Sequence, residues 1–335
     1  GEMNTYESTR SSRLIELYGN YKNQLTNRVH ADLTGGYSFQ HWQSGSPSFP
    51  SLNALGDTMS PANPFPAFSE NALMSFYGRG NFNISNKYLF TTTLRADGSS
   101  RFSKDARWGL FPSAALAWNI LEEELFSGQT LFSNLKVRLG YGLTGQQDIY
   151  NDYGYIPNYN YGTATAQYQF GNQWVDILRP DAYDYNLQWE KTATTNIALD
   201  YGLMKGRING SLDVYQKNTY DLLGVVPIPA GTNFSNRVLT NVGSMKNNGV
   251  EASVNLVLWD NSTTNVEIGF NAFRNRNQIT KLSLVQDTTS PGIQVGGIAG
   301  GVGNTIQIHA VGMPMYAFYT YEQIYDANGR PLERN

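Results

Sequence analysis

Cysteine is absent from the 335-residue sequence, so disulfides, thiolate catalysis and cysteine-ligated zinc are all excluded. Only three histidines occur, His30, His41 and His309, and none stands near a serine or a carboxylate in a recognisable motif. Nucleophilic and metal-hydrolase chemistry therefore has little support. The formal net charge is −3 and no basic patch stands out, which argues against nucleic-acid binding.

Charged residues and long apolar runs are also scarce. Asp, Glu, Lys and Arg make up 15% of the chain, against roughly 25% in an ordinary soluble domain. No apolar run approaches the roughly 18 residues of a transmembrane helix. No signal peptide is recognisable and the first residue is Gly1, so a mature or trimmed chain is expected. The 22 Tyr, 16 Phe and 33 Gly suit a protein that meets both lipid and water, and equally a secreted all-β protein.

The stretch from Tyr88 to Ile120 shows the pattern that recurs along the chain. Apolar residues occupy every second position from Tyr88 to Ala96 and again from Ala114 to Ile120. Successive side chains of a strand point to opposite faces, so each strand has one apolar and one small or polar side. The connection at 97–112 is rich in turn residues and is closed by Pro112. A soluble sheet on a core and a membrane barrel both alternate in this way.

The same alternation predicts about ten or eleven strands. They lie at 13–21, 28–42, 76–84, 88–96, 113–120, 135–143, 195–203, 207–214, 250–258, 266–272 and 315–325. Residues 43–74 are rich in Pro, Ser and Asn and are predicted to be a long loop. The segment 278–314 is Gly-rich and is predicted to be irregular.

The predicted connections alternate in length. Short ones lie at 85–87, 204–206 and 260–264, and long ones at 97–112, 144–193, 221–248 and 278–314. The intermediate one at 121–134 is predicted to be a periplasmic turn with a short helical piece. Short periplasmic turns and long extracellular loops are typical of an up-and-down membrane barrel, whereas a Greek-key sandwich has no reason to sort its loops. The sequence therefore predicts an all-β, antiparallel transmembrane β-barrel.

Several motifs resemble one family of such barrels. They are LRADGSSRF (94–102), RWGLFPSAALAW (107–118), LKVRLGYGLTGQQ (135–147), LQWEKTATTNIALDYGL (187–203), DVYQKNTYDLL (213–223), VPIP (226–229) and NVGSMKNNGVE (241–251). Together they resemble the barrel region of SusC/RagA-type TonB-linked outer-membrane transporters of the Bacteroidetes. The resemblance covers about residues 75–325, while 1–74 form variable strands and a loop that match weakly.

The resemblance implies a function and partners. Such transporters import glycans, oligosaccharides or peptides, with a SusD-type surface lipoprotein as lid and energy from TonB–ExbB–ExbD, and no cofactor is implied. The sequence departs from the family in lacking a TonB box, a plug and the closing C-terminal strands. Since the family's barrels have 22 strands, residues 1–335 are expected to form part of a single barrel domain, about half of one, which does not transport by itself.

Two sets of side chains are candidate sites. An aromatic set in the loop predicted to lie outside suits a sugar or peptide ligand, and alternatively packs within the loop or against the lid: Tyr150, Tyr153, Tyr155, Tyr159, Tyr161, Tyr168 and Trp174. A charged set is predicted to line the lumen, paired internally or with the plug: Arg79, Arg95, Lys136, Arg138, Asp200, Arg207, Asp213 and Glu251. Interfacial aromatic girdles are the alternative predicted for four more: Tyr88, Trp108, Trp118 and Trp189.

Other interpretations remain open. Glu122, Glu123 and Glu124 are either paired carboxylates or a solvated turn, and Gly296–Asn304 is either a phosphate loop or a flexible one. Calcium ligands are conceivable at three aspartates that match no EF-hand: Asp148, Asp152 and Asp176. The competing functions are a surface adhesion or structural β-protein and an outer-membrane protease or lipase. The latter requires a carboxylate–His or Ser–His cluster at the rim.

Overall fold

The computed structural model describes residues 1–63, 67–149, 151–161, 167–229, 231–282, 291–302 and 304–332. Its framework is a ten-stranded antiparallel sheet in which each strand pairs with its neighbours in chain order. The strands are β1 (Thr9–Thr26), β2 (Val29–Ser46), β3 (Ala67–Ile84), β4 (Tyr88–Ser99), β5 (Trp108–Asn119), β6 (Phe132–Gln146), β7 (Glu190–Leu203), β8 (Ile208–Pro227), β9 (Arg237–Asp260) and β10 (Asn265–Lys281).

Shorter elements decorate the ends of this sheet. Small antiparallel sheets are formed by Glu2–Met3 with Ser51–Asn53 and Thr58–Ser60, by Tyr159–Tyr161 with Leu178–Pro180, by Gln167–Phe170 with Gln173–Asp176, and by Ile293–Val302 with Thr305–His309 and Ala317–Phe318. Helical structure in the described residues is limited to three single 3₁₀ turns: Ile120–Glu122, Glu124–Phe126 and Met204–Gly206. None of the helices described is a candidate for crossing a bilayer.

The register gives the sheet two different faces. Directly opposed residues on neighbouring strands share a face, and the pairs Tyr77–Arg95 and Arg138–Ala198 lie on the side that we call the polar face. The other side, the apolar face, exposes large hydrophobic side chains on every strand: Leu17, Leu33, Phe76, Phe90, Leu116, Leu139, Ile197, Leu212, Val250 and Ile268. A continuous apolar face of this kind is suited to lipid.

The connections are sorted by length between the two ends of the sheet. At one end they span 27–28, 85–87, 120–131, 204–207 and 261–264. At the other end they span 47–66, 100–107, 147–189 and 228–236. The predicted sorting is therefore confirmed with one exception, because the connection 120–131 is longer than 100–107 and 228–236. The predicted helical piece of that connection is present as the two 3₁₀ turns between β5 and β6.

The tightest connections use left-handed backbone conformations. Ser85 and Asn86 have φ values of 54° and 58°, and the Lys87 amide donates to the Ile84 carbonyl at 3.0 Å. Positive φ at both central residues is the geometry whose twist matches that of two antiparallel strands. The Asn83 side chain supports this turn by accepting a hydrogen bond from the Asn86 amide at 2.9 Å.

Two predicted loops are shorter than the sequence indicates. β2 continues to Ser46 and β3 begins at Ala67, so the loop predicted at 43–74 is wrong at both ends. In the same way β8 and β9 extend into the loop predicted at 221–248. These strands continue beyond the apolar band, where the polar–apolar alternation that predicts a strand is lost.

Pro112 likewise lies inside β5 and not at the end of a connection. It is opposite Leu94 of β4, and the pairing of β5 with β6 begins at the next residue, Ser113. The missing proline N–H therefore falls where that second ladder ends.

The last predicted strand and the irregular segment before it also need correction. β10 runs to Lys281, and a hairpin occupies 293–309 within the segment predicted to be irregular. A strand over 315–325 is wrong, because the paired residues there are Ala317 and Phe318, opposite Ile308 and Gln307, and Tyr325, which forms an isolated bridge with Pro331. Tyrosines at every second or third position mimic strand alternation in this segment, although little of its backbone is paired.

Candidate functional site

A buried hydrophobic cluster lies at the long-connection end of the sheet. It consists of Phe102, Phe111, Ile149, Leu187 and Trp189, and we call it the mouth cluster. The Trp189 ring lies 5.4 Å from Phe102 and 5.3 Å from Phe111, and its indole N–H donates to the Arg107 carbonyl at 2.8 Å. Trp189 is only 3% exposed, so its assignment to an interfacial girdle is wrong. Burial with a satisfied N–H makes it a packing residue.

Two consecutive bulges redirect β8 and β9 toward the mouth cluster. Asp221 is skipped in the register and has a φ of 56°, and Val242 is skipped on the partner strand. A bulge bends its strand and increases the local twist. Beyond the bulges, Leu223 and Leu239 pack against the mouth cluster.

The Asn241 side chain fastens this bend to the connection before β7. Its Nδ2 donates to the carbonyls of Gln188 at 2.9 Å and Asp221 at 2.7 Å, while its Oδ1 accepts from the Gln188 amide at 2.9 Å. The Leu223 amide donates a further bond to Glu190 Oε2 at 3.2 Å. Three motifs that are distant in the chain therefore meet at one point.

Asp152 forms a second fastening point, in the connection between β6 and β7. Arg101 donates to its Oδ1 at 2.7 Å, Asn71 donates at 3.2 Å, and the Ser69 hydroxyl donates as well. Burial opposes the charge of this carboxylate, but the hydrogen bonds from Ser69, Arg101 and Asn71 outweigh it and lower the pKa of Asp152. The loop is thereby tied to β3 and to the β4–β5 connection.

The three aspartates considered as calcium ligands lie in two different places. The Arg101 guanidinium lies between Asp148, at 2.9 Å, and Asp152, at 2.7 Å, so a protein cation already occupies the space between these carboxylates. Asp176 belongs to the hairpin 167–176. In the part of the chain that the structure describes, no group of three or more His, Asp or Glu is arranged to hold a metal ion.

The aromatic set divides into inward and outward members. The Tyr153 hydroxyl accepts from the Glu70 amide at 3.1 Å, and Tyr155 packs against the mouth cluster. Tyr159 and Trp174 are instead exposed, at 62% and 63%. Tyr161 lies in the strand Tyr159–Tyr161, and Tyr150 falls outside the described residues.

The exposed hairpin 167–176 has an aromatic residue on each side. Trp174 is opposite Gln169 and Tyr168 is opposite Val175, so Trp174 and Tyr168 lie on different faces. Tyr168 packs against Phe170, with ring centroids 5.6 Å apart. Trp174 therefore presents a ring with an amide beside it.

An ion network crosses the polar face. Arg138 donates to both carboxylate oxygens of Asp200, at 2.9 and 2.8 Å, and to Asp213 at 3.1 Å. Glu251 lies opposite Asp213 and shares this face. Four of the charged residues predicted to line the lumen are thus brought together on the four consecutive strands β6 to β9.

Lys136 lies directly opposite Asp200 and shares the polar face with the network, whereas the other charged candidates lie apart from it. Arg95 donates to Asp97 at 2.7 Å and to Ser75 at 2.8 Å, and its guanidinium lies 5.7 Å from the Tyr77 ring centre. Arg79 donates to Asn81 at 3.3 Å. Arg207 ends the short turn before β8, where its carbonyl accepts from the Val257 amide at 2.8 Å.

Aromatic residues on the apolar face mark its two ends. Tyr88 and Trp118 stack with ring centres 6.5 Å apart near the short connections, and Phe76 and Trp108 do so at 6.2 Å toward the other end. Amphipathic aromatic rings of this kind favour the membrane–water interface. Both pairs are compatible with girdles.

Glu123 has neither of the roles considered for the three glutamates. It accepts hydrogen bonds from Lys87 at 3.1 Å, Tyr88 at 3.0 Å and the Trp118 indole at 3.2 Å. These bonds lower the pKa of the Glu123 carboxyl, with the bond from Lys87 as the largest cause. Glu123 therefore holds the polar tips of one aromatic pair from the neighbouring turn.

The histidines and the Gly-rich segment form no recognisable catalytic arrangement. His41 Nε2 lies 3.5 Å from Glu70 Oε2, and the His309 ring packs edge-on against Tyr316 at 4.7 Å. Burial lowers the pKa of His309. The described residues 296–302 of the Gly-rich segment belong to the strand Ile293–Val302, which pairs with the strand Thr305–His309, whereas a phosphate loop lies between a strand and a helix.

The chain is similar to known proteins over most of its length. A family model described as "TonB dependent receptor-like, beta-barrel" matches residues 3–325. The TonB-dependent receptor SusC of Bacteroides thetaiotaomicron is 45% identical over 266 residues, which cover 79% of this chain and 26% of that protein. The TonB-dependent receptor P39 of Formosa agariphila is 33% identical over 286 residues, covering 80% of this chain and 26% of that protein. The chain thus spans about a quarter of the length of these curated relatives.

Solved structures have the same architecture. The RagAB peptide transporter matches with a TM-score of 0.77 at 22% identity, over 98% of this chain and 37% of that one. The RagAB peptide importer in its "closed-closed" state matches with a TM-score of 0.78 at 23% identity and the same coverage. At this level of identity the likeness establishes the fold alone. It identifies the open ten-stranded sheet as part of a larger barrel wall.

Proposed function

The chain belongs to the family of TonB-dependent receptor-like β-barrels, which reside in the outer membrane of Gram-negative bacteria, and from that membership we propose that it forms part of the wall and mouth of a nutrient importer. The nutrient is a glycan, an oligosaccharide or a peptide. The two-faced sheet with its sorted connections carries this proposal, because an importer needs lipid on one face and an aqueous passage on the other.

The polar face is the side that borders the passage in this proposal. Arg79, Arg95, Arg138, Asp200, Arg207, Asp213 and Glu251 then line the lumen. The register supports this assignment for the strand residues among them, because they lie on the face opposite the exposed apolar side chains. The charges near Arg138 are paired across strands, so they stiffen the wall while remaining accessible to water.

Tyr159 and Trp174 are the proposed ligand contacts at the mouth. Both rings are exposed at the end with long connections, and Gln169 supplies an amide beside Trp174. A flat apolar ring with a hydrogen-bonding group next to it suits both a sugar ring and a peptide. Tyr153 and Tyr155 hold the loop in place beneath this platform.

The partners follow from the same membership. A SusD-like surface lipoprotein is proposed as the lid over the mouth, and TonB–ExbB–ExbD as the energy source acting on the whole protein. Co-purification of a lipoprotein with the full-length protein tests the first partner, and isolation of the full-length protein alone from native membranes contradicts it.

Uptake by cells that carry the full-length protein tests the import proposal. Labelled oligosaccharides and peptides are offered to a deletion strain complemented with the wild type, with Trp174→Ala or with Phe170→Ala. Phe170 is a matched control, because it is 67% exposed on the other face of the same hairpin.

We expect TonB-dependent uptake by the wild type and by the control. For Trp174→Ala we expect a half-saturating concentration that is three- to tenfold higher, on the order of one aromatic contact. Absence of TonB-dependent uptake in the wild type contradicts import, whereas equal uptake by all three contradicts only the role of Trp174.

A further inference from the structure

A row of cations lies on the apolar face of the sheet, at the end with the long connections. On β10, Arg274 and Arg276 are opposite Val250 and Asn248 of β9, so both arginines share the face of the exposed hydrophobic residues. Three lysines extend the group across the neighbouring strands. We call the whole set the outer basic patch: Lys191, Lys246, Arg274, Arg276 and Lys281.

The patch begins where the apolar band ends. On β10 the outward positions are Val266, Ile268, Phe270 and Ala272, followed directly by Arg274 and Arg276. Arg274 lies eight residues after Val266, which at a rise of about 3.3 Å per residue and a tilt of about 40° is roughly 20 Å along the membrane normal. Since the apolar band of such barrels is about 25 Å tall, the backbone of Arg274 lies just inside its border and that of Arg276, two residues further on, lies at the border. Long arginine side chains extend toward water from such positions, which brings both guanidinium groups to the level of the lipid headgroups.

No carboxylate offsets these charges in the described part of the sheet. The positions of β7 to β10 that the register places on the apolar face in this region carry Gln, Asn, Ser, Thr and Tyr but no Asp or Glu. Asp221 lies nearby in the β8 bulge, outside the register, and none of the ion pairs among the described residues involves it or the five cations. The opposite edge of the sheet differs at the same level. There Arg13 is accompanied on the same face by Glu70, which pairs with His41 at 3.5 Å.

We propose that the outer basic patch binds the phosphorylated sugar headgroup of a lipid in the outer leaflet. Guanidinium groups are suited to phosphate because their paired N–H donors match its oxygens. Exposed amides lie within the patch at Gln216 and Asn248 and suit sugar hydroxyl groups, while the apolar band below accepts the acyl chains. Both parts of the lipid therefore have a complementary surface, because the phosphorylated headgroup meets the cations and the acyl chains meet the apolar band.

Lipid retention by the purified full-length protein tests this site. The protein is extracted in mild detergent and titrated with phosphorylated lipid A, and with the same lipid after removal of its phosphates, by native mass spectrometry. The variants are Arg274→Gln/Arg276→Gln and, as control, Arg13→Gln, which removes an exposed arginine from the same face near the other edge of the sheet. Folding of each variant is checked by its heat-modifiable mobility in gels.

The outcomes separate the proposal from its alternatives. We expect about a fivefold loss of affinity for each cation removed, hence roughly thirtyfold for the double variant, with little change for Arg13→Gln. Removal of the phosphates from the lipid is expected to weaken its binding to the wild type. The remaining affinity is expected to equal that of the double variant for the intact lipid. Equal binding by the double variant, equal loss in the control, or indifference to the phosphates overturns the proposal. Because uptake is not measured, these results are independent of whether the protein imports a nutrient.

Discussion

Arg138 on β6 and Asp200 on β7 are diagonal neighbours on the polar face and are joined by two parallel hydrogen bonds, of 2.9 Å from Nε and 2.8 Å from Nη2. The same Nη2 reaches Asp213 on β8 at 3.1 Å. One guanidinium therefore offsets two carboxylates, and Glu251 lies directly opposite the second of them. Paired charges of this geometry are stronger than ordinary hydrogen bonds.

Replacement of Arg138 by Gln is expected to destabilise the full-length barrel by about 1–3 kcal/mol, because two neighbouring carboxylates lose their counter-charge. Arg79→Gln is the control, since Arg79 makes one 3.3 Å bond to a neutral side chain on the same face, and it is expected to cost less than about 0.5 kcal/mol. The measurement is thermal unfolding in detergent. Addition of Asp200→Asn and Asp213→Asn to the Arg138 variant restores most of the loss if charge is the cause. Failure of that rescue rejects the electrostatic explanation.

Substitutions of the buried Trp189 and the exposed Trp174 are expected to have very different effects on stability. Trp189→Ala empties the centre of the mouth cluster and is expected to cost about 3–5 kcal/mol. Trp174→Ala removes a ring that is 63% exposed and is expected to cost less than about 0.5 kcal/mol. Unfolding of the two variants by urea in detergent checks the difference. Similar losses in both would mean that the hairpin 167–176 is packed in the full-length protein.

The lowered pKa of Asp152 gives the mouth loop a defined pH dependence. A carboxyl whose pKa falls below its ordinary 3.8 on folding stabilises the fold fully above that value. The contribution is lost as the pH falls through the lower folded value. The wild-type loop at 147–161 is therefore expected to resist proteolysis at pH 7 and to become cleavable by pepsin only in strong acid.

Asp152→Asn is expected to make the same loop cleavable by proteinase K at pH 7, because the ion pair with Arg101 is lost. Asp148→Asn is a close control, since its carboxylate contacts the same arginine but its side chain is 78% exposed, against 10% for Asp152. A screened surface pair contributes little. Equal cleavage of the two variants would place the fastening elsewhere in the loop.

The sequence predicts the sheet better than it predicts the mouth. Period-two alternation identifies ten strands, because each has one face in lipid and one in water over the width of the membrane. It fails for 221–227 and 237–248, where the ladder continues into water and both faces lose their contrast. It also misleads at 315–325, where aromatic residues recur without a neighbouring strand to pair with.

Residues that fasten the mouth leave no local signal. Arg101 and Asn241 act through partners that are distant in the chain, so spacing does not identify them. The same holds at the other end of the sheet for Glu123, whose partner Lys87 lies in another turn. The outer basic patch is invisible for the same reason, since its cations are spread over three strands and become neighbours only through the register. The pattern also fails to show that Trp189 is a core residue and not part of an interfacial girdle. A tryptophan beside a strand end suits an interface and a core equally well.

Asn241 provides the sharpest test of how the mouth is held. Its carboxamide makes three hydrogen bonds of 2.7–2.9 Å to the backbone of Gln188 and Asp221. Asn241→Ala leaves those backbone groups without their partner, at an expected cost of about 2–4 kcal/mol. Asn241→Asp keeps the shape and the acceptor but removes the donor, so the two carbonyls then face an oxygen, and a loss at least as large is expected.

Asn275→Ala, at an exposed position of β10, is the control and is expected to be neutral. Hydrogen exchange of 187–190 and 221–223 in the full-length protein is the measurement. Faster exchange in both segments with the β1–β3 amides unchanged supports a local fastening role, whereas uniform acceleration across the sheet would mean that Asn241 contributes only to global stability.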